Sequence, residues 1–111
     1  MLPRAGRITT KEFPAILKRS TPYHSPLMSL RVALCSGRPA GFSVVVSVKT
    51  AKQAVERNRI KRRLRHLLVK HGGGFKSGYC GLIFAKKEVL HCSFEELEDT
   101  LIVLLKKAGI L

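Results

Sequence analysis

Nine consecutive positions, Arg57 to Arg65, hold six cations, Arg57, Arg59, Lys61, Arg62, Arg63 and Arg65, interrupted only by Asn58, Ile60 and Leu64. Within the longer stretch "AVERNRIKRRLRHLLVK" the apolar residues have helical spacing. At about 100° per residue, Ile60, Leu64 and Leu67 fall in one narrow sector of a helix and Leu68 at its edge. The spacing predicts a helix from about Gln53 to Lys70 that packs this sector on a sheet and carries cations on its flanks and opposite side. Asn58 lies near the centre of the outward face. "HGGG" ends the helix, because Gly72 to Gly74 do not favourably continue it.

A charge run on a helix is ordinarily a solvated face, but solvated helices alternate sign, and Glu56 is the only acid here. Without a polyanion, Arg57, Lys61 and Arg65 at i, i+4 spacing repel one another. The whole chain repeats the imbalance: 21 Lys and Arg against 7 Asp and Glu give a net charge of +14 and a pI near 10.5. Such self-repulsion points to nucleic acid or an anionic membrane as partner. Arginine outnumbers lysine five to one in the segment. Its planar guanidinium grips phosphate bidentately and stacks on bases, which favours structured RNA over a lipid surface. An interfacial helix would also carry Trp or Phe on its apolar face, and this one carries neither. A helix fits the DNA major groove, but no second helix is set for helix-turn-helix docking.

The 111 residues are read as one domain, 1–111, because that length supports a single modest core. With 45% hydrophobic and 25% charged residues, the composition is that of a folded domain and not of a basic tail. The longest apolar runs, "FSVVVSV" and "LIVLL", fall short of the roughly 20 residues of a membrane span, and "MLPRAGRITTKEF" has no apolar signal region. No membrane role and a cytoplasmic location are expected. Cys35, Cys80 and Cys92 are an odd set without CxxC spacing, expected as reduced, buried or half-buried thiols. His91 beside Cys92 carries no metal-site spacing.

Thr9 or Thr10 is expected to cap a short helix with Phe13, Ile16 and Leu17 on one side and Pro14 in its first turn. "LMSLRVAL" and "GFSVVVSVK" flank "CSGRPA" and read as an antiparallel hairpin. Leu30, Val32 and Leu34 alternate with Ser29, Arg31 and Ala33, so one face is expected buried and the other free. "YCGLIFA" is a third strand. "SFEELEDTLIVLLKKAG" is a final helix with Ser93 and Glu96 in capping-box spacing, acids early, Lys106 and Lys107 late, and Gly109 at its close. Glu95, Glu96, Glu98 and Asp99 are more than half of the seven acids.

"ERNRIKRRLR", Glu56 to Arg65, resembles the signature of the bacterial ribonuclease P protein component, an RNR triplet followed by a basic helical turn. "RITTKEFPAILKR", "HSPLMSL", "GFSVVVSVKTAKQAVERNR" and "SFEELEDTLIVLLKKAG" resemble that family's successive elements, in order, over essentially the whole chain. The resemblance implies an α+β fold of order αβββαβα: a four-stranded mixed sheet packed with helices, a fourth short strand near Ser20 to His24, and a left-handed βαβ crossover. The implied function is that of the protein subunit of a ribonucleoprotein endonuclease, ribonuclease P. It binds the catalytic RNA subunit and the leader of precursor tRNA and assists removal of the 5′ leader. Mg2+ is held mainly by the RNA subunit, which performs the hydrolysis, so no catalytic residue is expected in the protein. Arg57, Asn58, Arg59, Lys61, Arg62 and Arg65 match the RNA-subunit positions. Phe13, Arg31 and Lys49 are the leader-binding candidates.

The chain departs from the family at Leu17, where a second Phe is common, at Arg31, where many members carry a strand Tyr, and at Val48–Lys49, where a Lys pair is usual. The first helix is also less basic, with Arg7, Lys11, Lys18 and Arg19 only. These departures bear on leader grip; Arg31 can compensate by stacking its guanidinium on a base. The alternative function is that of a structural, ribosomal-type RNA-binding protein without a catalytic role. An autonomous metal nuclease is disfavoured because Asp, Glu and His are few and scattered.

Overall fold

A computed structural model describes Ile8 and residues 11–35 and 40–111. The chain forms α1 (Phe13–Arg19), β1 (Thr21–His24), β2 (Met28–Leu34), β3 (Gly41–Val45), α2 (Ala54–His71), β4 (Tyr79–Ala85) and α3 (Phe94–Lys107), with short 3-10 turns at Gly72–Gly74 and Lys87–His91. The order is αβββαβα, and the short strand β1 falls where the resemblance placed it. Pro22 lies on this edge strand, where a missing ladder donor is tolerated.

The strands lie in the order β1-β2-β4-β3. β1 pairs with β2, and β2 with β4, antiparallel, whereas β3 pairs with β4 in parallel. The expected hairpin between β2 and β3 is therefore absent: β4 separates them. The alternation in the two sequences specifies which face each residue occupies, and it says nothing about the neighbouring strand. The near-continuous burial of β4, from Cys80 to Ile83, is the pattern of a central strand covered on both faces. The turn expected in "CSGRPA" falls mostly on residues outside the described set.

On one face Met28, Leu30, Val32, Phe42, Val44, Ile83 and Ala85 meet Ile60, Leu64, Leu67 and Leu68 of α2 and Leu97, Leu101, Leu104 and Leu105 of α3. The opposite face is not left free, because α1 lays Ile16 over Ala33, Cys35, Cys80 and Leu82. This reverses the end of the expected β2 pattern: Ala33 is 4% exposed and Leu34, at the end of the strand, 67%. Gly81 sits close against the main core; a methyl group there would lie 2.7 Å from the Phe42 ring and 3.3 Å from Leu30.

The Ser93 Oγ accepts the Glu96 N–H at 3.1 Å and its hydroxyl donates to Glu96 Oε1 at 3.3 Å, so the capping pair forms at the start of α3. At the other end Gly109 takes φ 80°, and the Gly109 and Ile110 amides donate to the Lys106 and Leu105 carbonyls at 3.1 and 3.0 Å. Helix α2 stops differently, since Gly72 keeps right-handed helical angles and the chain tightens into a 3-10 turn. Glu12 occupies the cap position of α1 without a side-chain cap bond; Thr9 and Thr10 lie outside the described residues. Cys35 and Cys80 are buried and Cys92 half-buried, none of them in a disulfide. Burial, then the Glu96 carboxylate, pushes the Cys92 thiol pKa up. Among the described residues no helix is long and apolar enough to cross a membrane.

Candidate nucleic-acid interface

Four buried residues, Ile60, Leu64, Leu67 and Leu68, seat α2 on the core, so the direction of every other side chain on it follows from helical geometry. Asn58, Arg59, Arg62, Arg65 and His66 are exposed along the outward side, and Lys61 and Arg63 are half-buried on the flanks. Three of these five outward residues are arginines, and none is acidic.

Arg57 behaves differently. It precedes Leu64 by seven residues, which places it within about 20° of that buried position. Its Nη1 turns back and donates to the carbonyls of Ala51 and Lys52, each at 2.8 Å. This ties the start of α2 to the loop after β3, where the Thr50 hydroxyl in turn donates to the Ala85 carbonyl at 3.0 Å. Of the six expected RNA-facing residues, Asn58, Arg59, Arg62 and Arg65 stand together outward, Lys61 flanks them, and Arg57 faces the scaffold.

At the far end of α2, Lys70 and His71 both reach the same Glu98 carboxylate oxygen, each at 2.8 Å. The hydrogen bond from Lys70, then that from His71, holds the Glu98 pKa below the ordinary carboxylate value. One acid of α3 thereby links the two helices.

On the sheet face that carries α1, Phe13 stands edge-to-face on Phe84, ring centroids 6.4 Å apart and planes at 69°. Arg31 Nε donates to the Ser20 Oγ at 2.8 Å, and the Ser20 hydroxyl donates to the Leu17 carbonyl at 2.8 Å, so Arg31 is braced against the end of α1. Ser29, Ser43, Val45 and Phe84 are half-buried on the same face beside the part that α1 covers. Phe84 is not among the residues expected from the sequence; its signal is the alternation of Cys80, Leu82 and Phe84 along one side of "YCGLIFA". Phe13 and Arg31 thus share one face. Lys49 instead lines a concavity of about 510 Å³ with Lys52, Gln53, Lys87 and His91 at the start of α2. Among the described residues no three His, Cys, Asp or Glu side chains gather as a metal-ion site.

A family model described as Ribonuclease P matches residues 2–109. The chain is 33% identical over 110 residues to the ribonuclease P protein component of Synechococcus elongatus, covering 90% of each chain. It is 34% identical over 100 residues to that of Finegoldia magna, covering 89% of this chain and 86% of the relative. In three dimensions it matches the ribonuclease P protein of Staphylococcus aureus with a TM-score of 0.85 at 21% identity, over 96% of this chain and 98% of that one. The match to the Thermotoga maritima protein has a TM-score of 0.83 at 20% identity, over 91% and 96% of the two chains.

Proposed function

This chain belongs to the ribonuclease P protein family, and from that membership we propose that it is the protein subunit of a ribonucleoprotein that removes the 5′ leader of precursor tRNA. The observation that carries the reading is the outward row Asn58, Arg59, Arg62 and Arg65 on a helix held from behind by four buried side chains. A rigid mount keeps the arginines at fixed spacing, so they meet the phosphates of a folded RNA without a backbone-ordering cost at the moment of binding.

In this reading the two sides of the sheet hold two RNAs. α2 faces the RNA subunit. The opposite face, with Phe13, Phe84 and Arg31, takes the single-stranded leader, whose bases stack on the rings and on the guanidinium plane. Lys49, exposed after β3, adds charge. Arg57 acts through its neighbours by fixing the loop that leads into α2. The hydrolysis and its Mg2+ belong to the RNA subunit, and the protein contributes binding and orientation.

The test is cleavage of a precursor tRNA by a bacterial-type ribonuclease P RNA at low Mg2+, with and without this protein. Restored processing at the correct 5′ end is the expected result. If the protein neither binds that RNA nor stimulates it, and copurifies with ribosomal subunits, the structural RNA-binding function replaces this one. Cleavage by the protein freed of RNA would place the chemistry in the protein instead.

A further inference from the structure

We propose that His66 and Phe94 form a stacking site for one unpaired nucleobase of the ribonuclease P RNA, at the border between α2 and the start of α3, a proposal that rests on the reading of α2 as the RNA-subunit face. The two rings lie with centroids 6.0 Å apart and planes at 48°, the spacing of an interacting aromatic pair. Phe94 heads the apolar series of α3, but Leu97, Leu101, Leu104 and Leu105 are at most 2% exposed and Phe94 is 37% exposed. The series leaves the core at its first member. His66 is also exposed, so the pair keeps ring surface available to solvent.

The position of the pair identifies the occupant. His66 follows Arg62 by one helical turn and lies within about 20° of Arg59 on the wheel, so its ring continues the outward arginine row. Directly after Phe94 in the chain, Glu95 and Glu96 occupy the first turn of α3. A bound nucleotide is therefore polarised: its phosphates are drawn toward Arg62 and repelled from Glu95, which leaves the base to reach over Phe94. Only an unpaired base has a free face to offer, which excludes uninterrupted duplex. In the proposed reading the leader lies on the opposite side, since α2 and α3 pack on one face of the sheet and α1, with Phe13, on the other. A phenylalanine that served only to cap the core edge would be replaceable by leucine; a stacking ring would not.

That contrast is the experiment. Phe94→Leu keeps the apolar volume and removes the aromatic face, and His66→Ala lies on an exposed helix surface. Each is expected to weaken binding of ribonuclease P RNA by about 5- to 150-fold at fixed salt, with the salt slope unchanged, and Phe94→Tyr is expected to restore it. The chain has no tryptophan, so Phe94→Trp provides a unique fluorophore whose emission is expected to be quenched by ribonuclease P RNA and not by a leader oligonucleotide. Wild-type affinity in Phe94→Leu, together with unquenched indole emission in Phe94→Trp, overturns the stacking site while leaving α2 as the RNA face. Quenching by the leader oligonucleotide alone overturns the assignment of the base to the RNA subunit. If Arg59→Ala and Arg62→Ala bind the RNA as wild type does, the reading of α2 itself fails, and the stacking site with it.

Discussion

The Arg57 guanidinium donates through Nη1 to the Ala51 carbonyl at 2.8 Å, and the same nitrogen reaches the Lys52 carbonyl at 2.8 Å, so the first arginine of the signature fastens a loop to its own helix. Arg57 and Arg62 are alike in sequence and divide the work between them, one holding the mount and the other exposed on it.

Arg57→Ala is expected to lower stability by about 1.5–3 kcal/mol, the usual value of hydrogen bonds made by a charged group. Arg57→Lys recovers only part, because the shorter side chain ends in a more strongly hydrated ammonium. Arg62→Ala, at an exposed position, stays within about 0.5 kcal/mol of wild type. Thermal unfolding of the three variants checks this.

Arg59→Ala, Arg62→Ala and Arg65→Ala are each expected to weaken binding of ribonuclease P RNA and to flatten the log–log salt dependence by about 1 per lost phosphate contact. Binding titrations across a salt series read the slope directly. Arg57→Ala is expected to weaken binding with a smaller change of slope, since its guanidinium is engaged with carbonyls.

The Glu98 carboxylate, held by Lys70 and His71, has a pKa below its unfolded value. Its stabilisation is therefore complete above the ordinary Glu range, about pH 4.3, and is lost as pH falls through the folded value. Glu98→Gln is expected to be less stable than wild type at pH 6 and to converge with it in strong acid. Urea unfolding at the two pH values makes the comparison.

Gly81→Ala is expected to cost about 1–3 kcal/mol by overpacking, because the new methyl meets the Phe42 ring at 2.7 Å. Phe42→Leu in the same chain is expected to recover part of that loss. Denaturant unfolding of the single and double variants tests the coupling.

Helix α2 was legible in the sequence because Ile60, Leu64, Leu67 and Leu68 repeat with the helical period and burial obeys that period. The capping of α3 by Ser93 and its closure at Gly109 were legible for the same local reason. The neighbours of β2 were not, because alternation in "LMSLRVAL" reports faces, and the partner, β4, begins 45 residues after the Leu34 at its end. The burial of Ala33 depended on α1 covering the second face, a tertiary event without a local signal. Arg57 was readable in principle, seven residues before Leu64, but its charge concealed its place on the scaffold side of the helix. Phe94 and His66 lie 28 residues apart, and only the docking of α3 beside α2 brings them together.

The central place of β4 also sets an order of assembly. During synthesis β2, β3 and the entire arginine helix leave the ribosome before Tyr79, and until β4 follows, β3 has no ladder to join. For that interval β1 and β2 are, among the described strands, the only neighbours able to pair, and α2 has no completed sheet to pack on. The sheet is completed from its middle, so correct mounting of the arginines awaits a strand that is made after them.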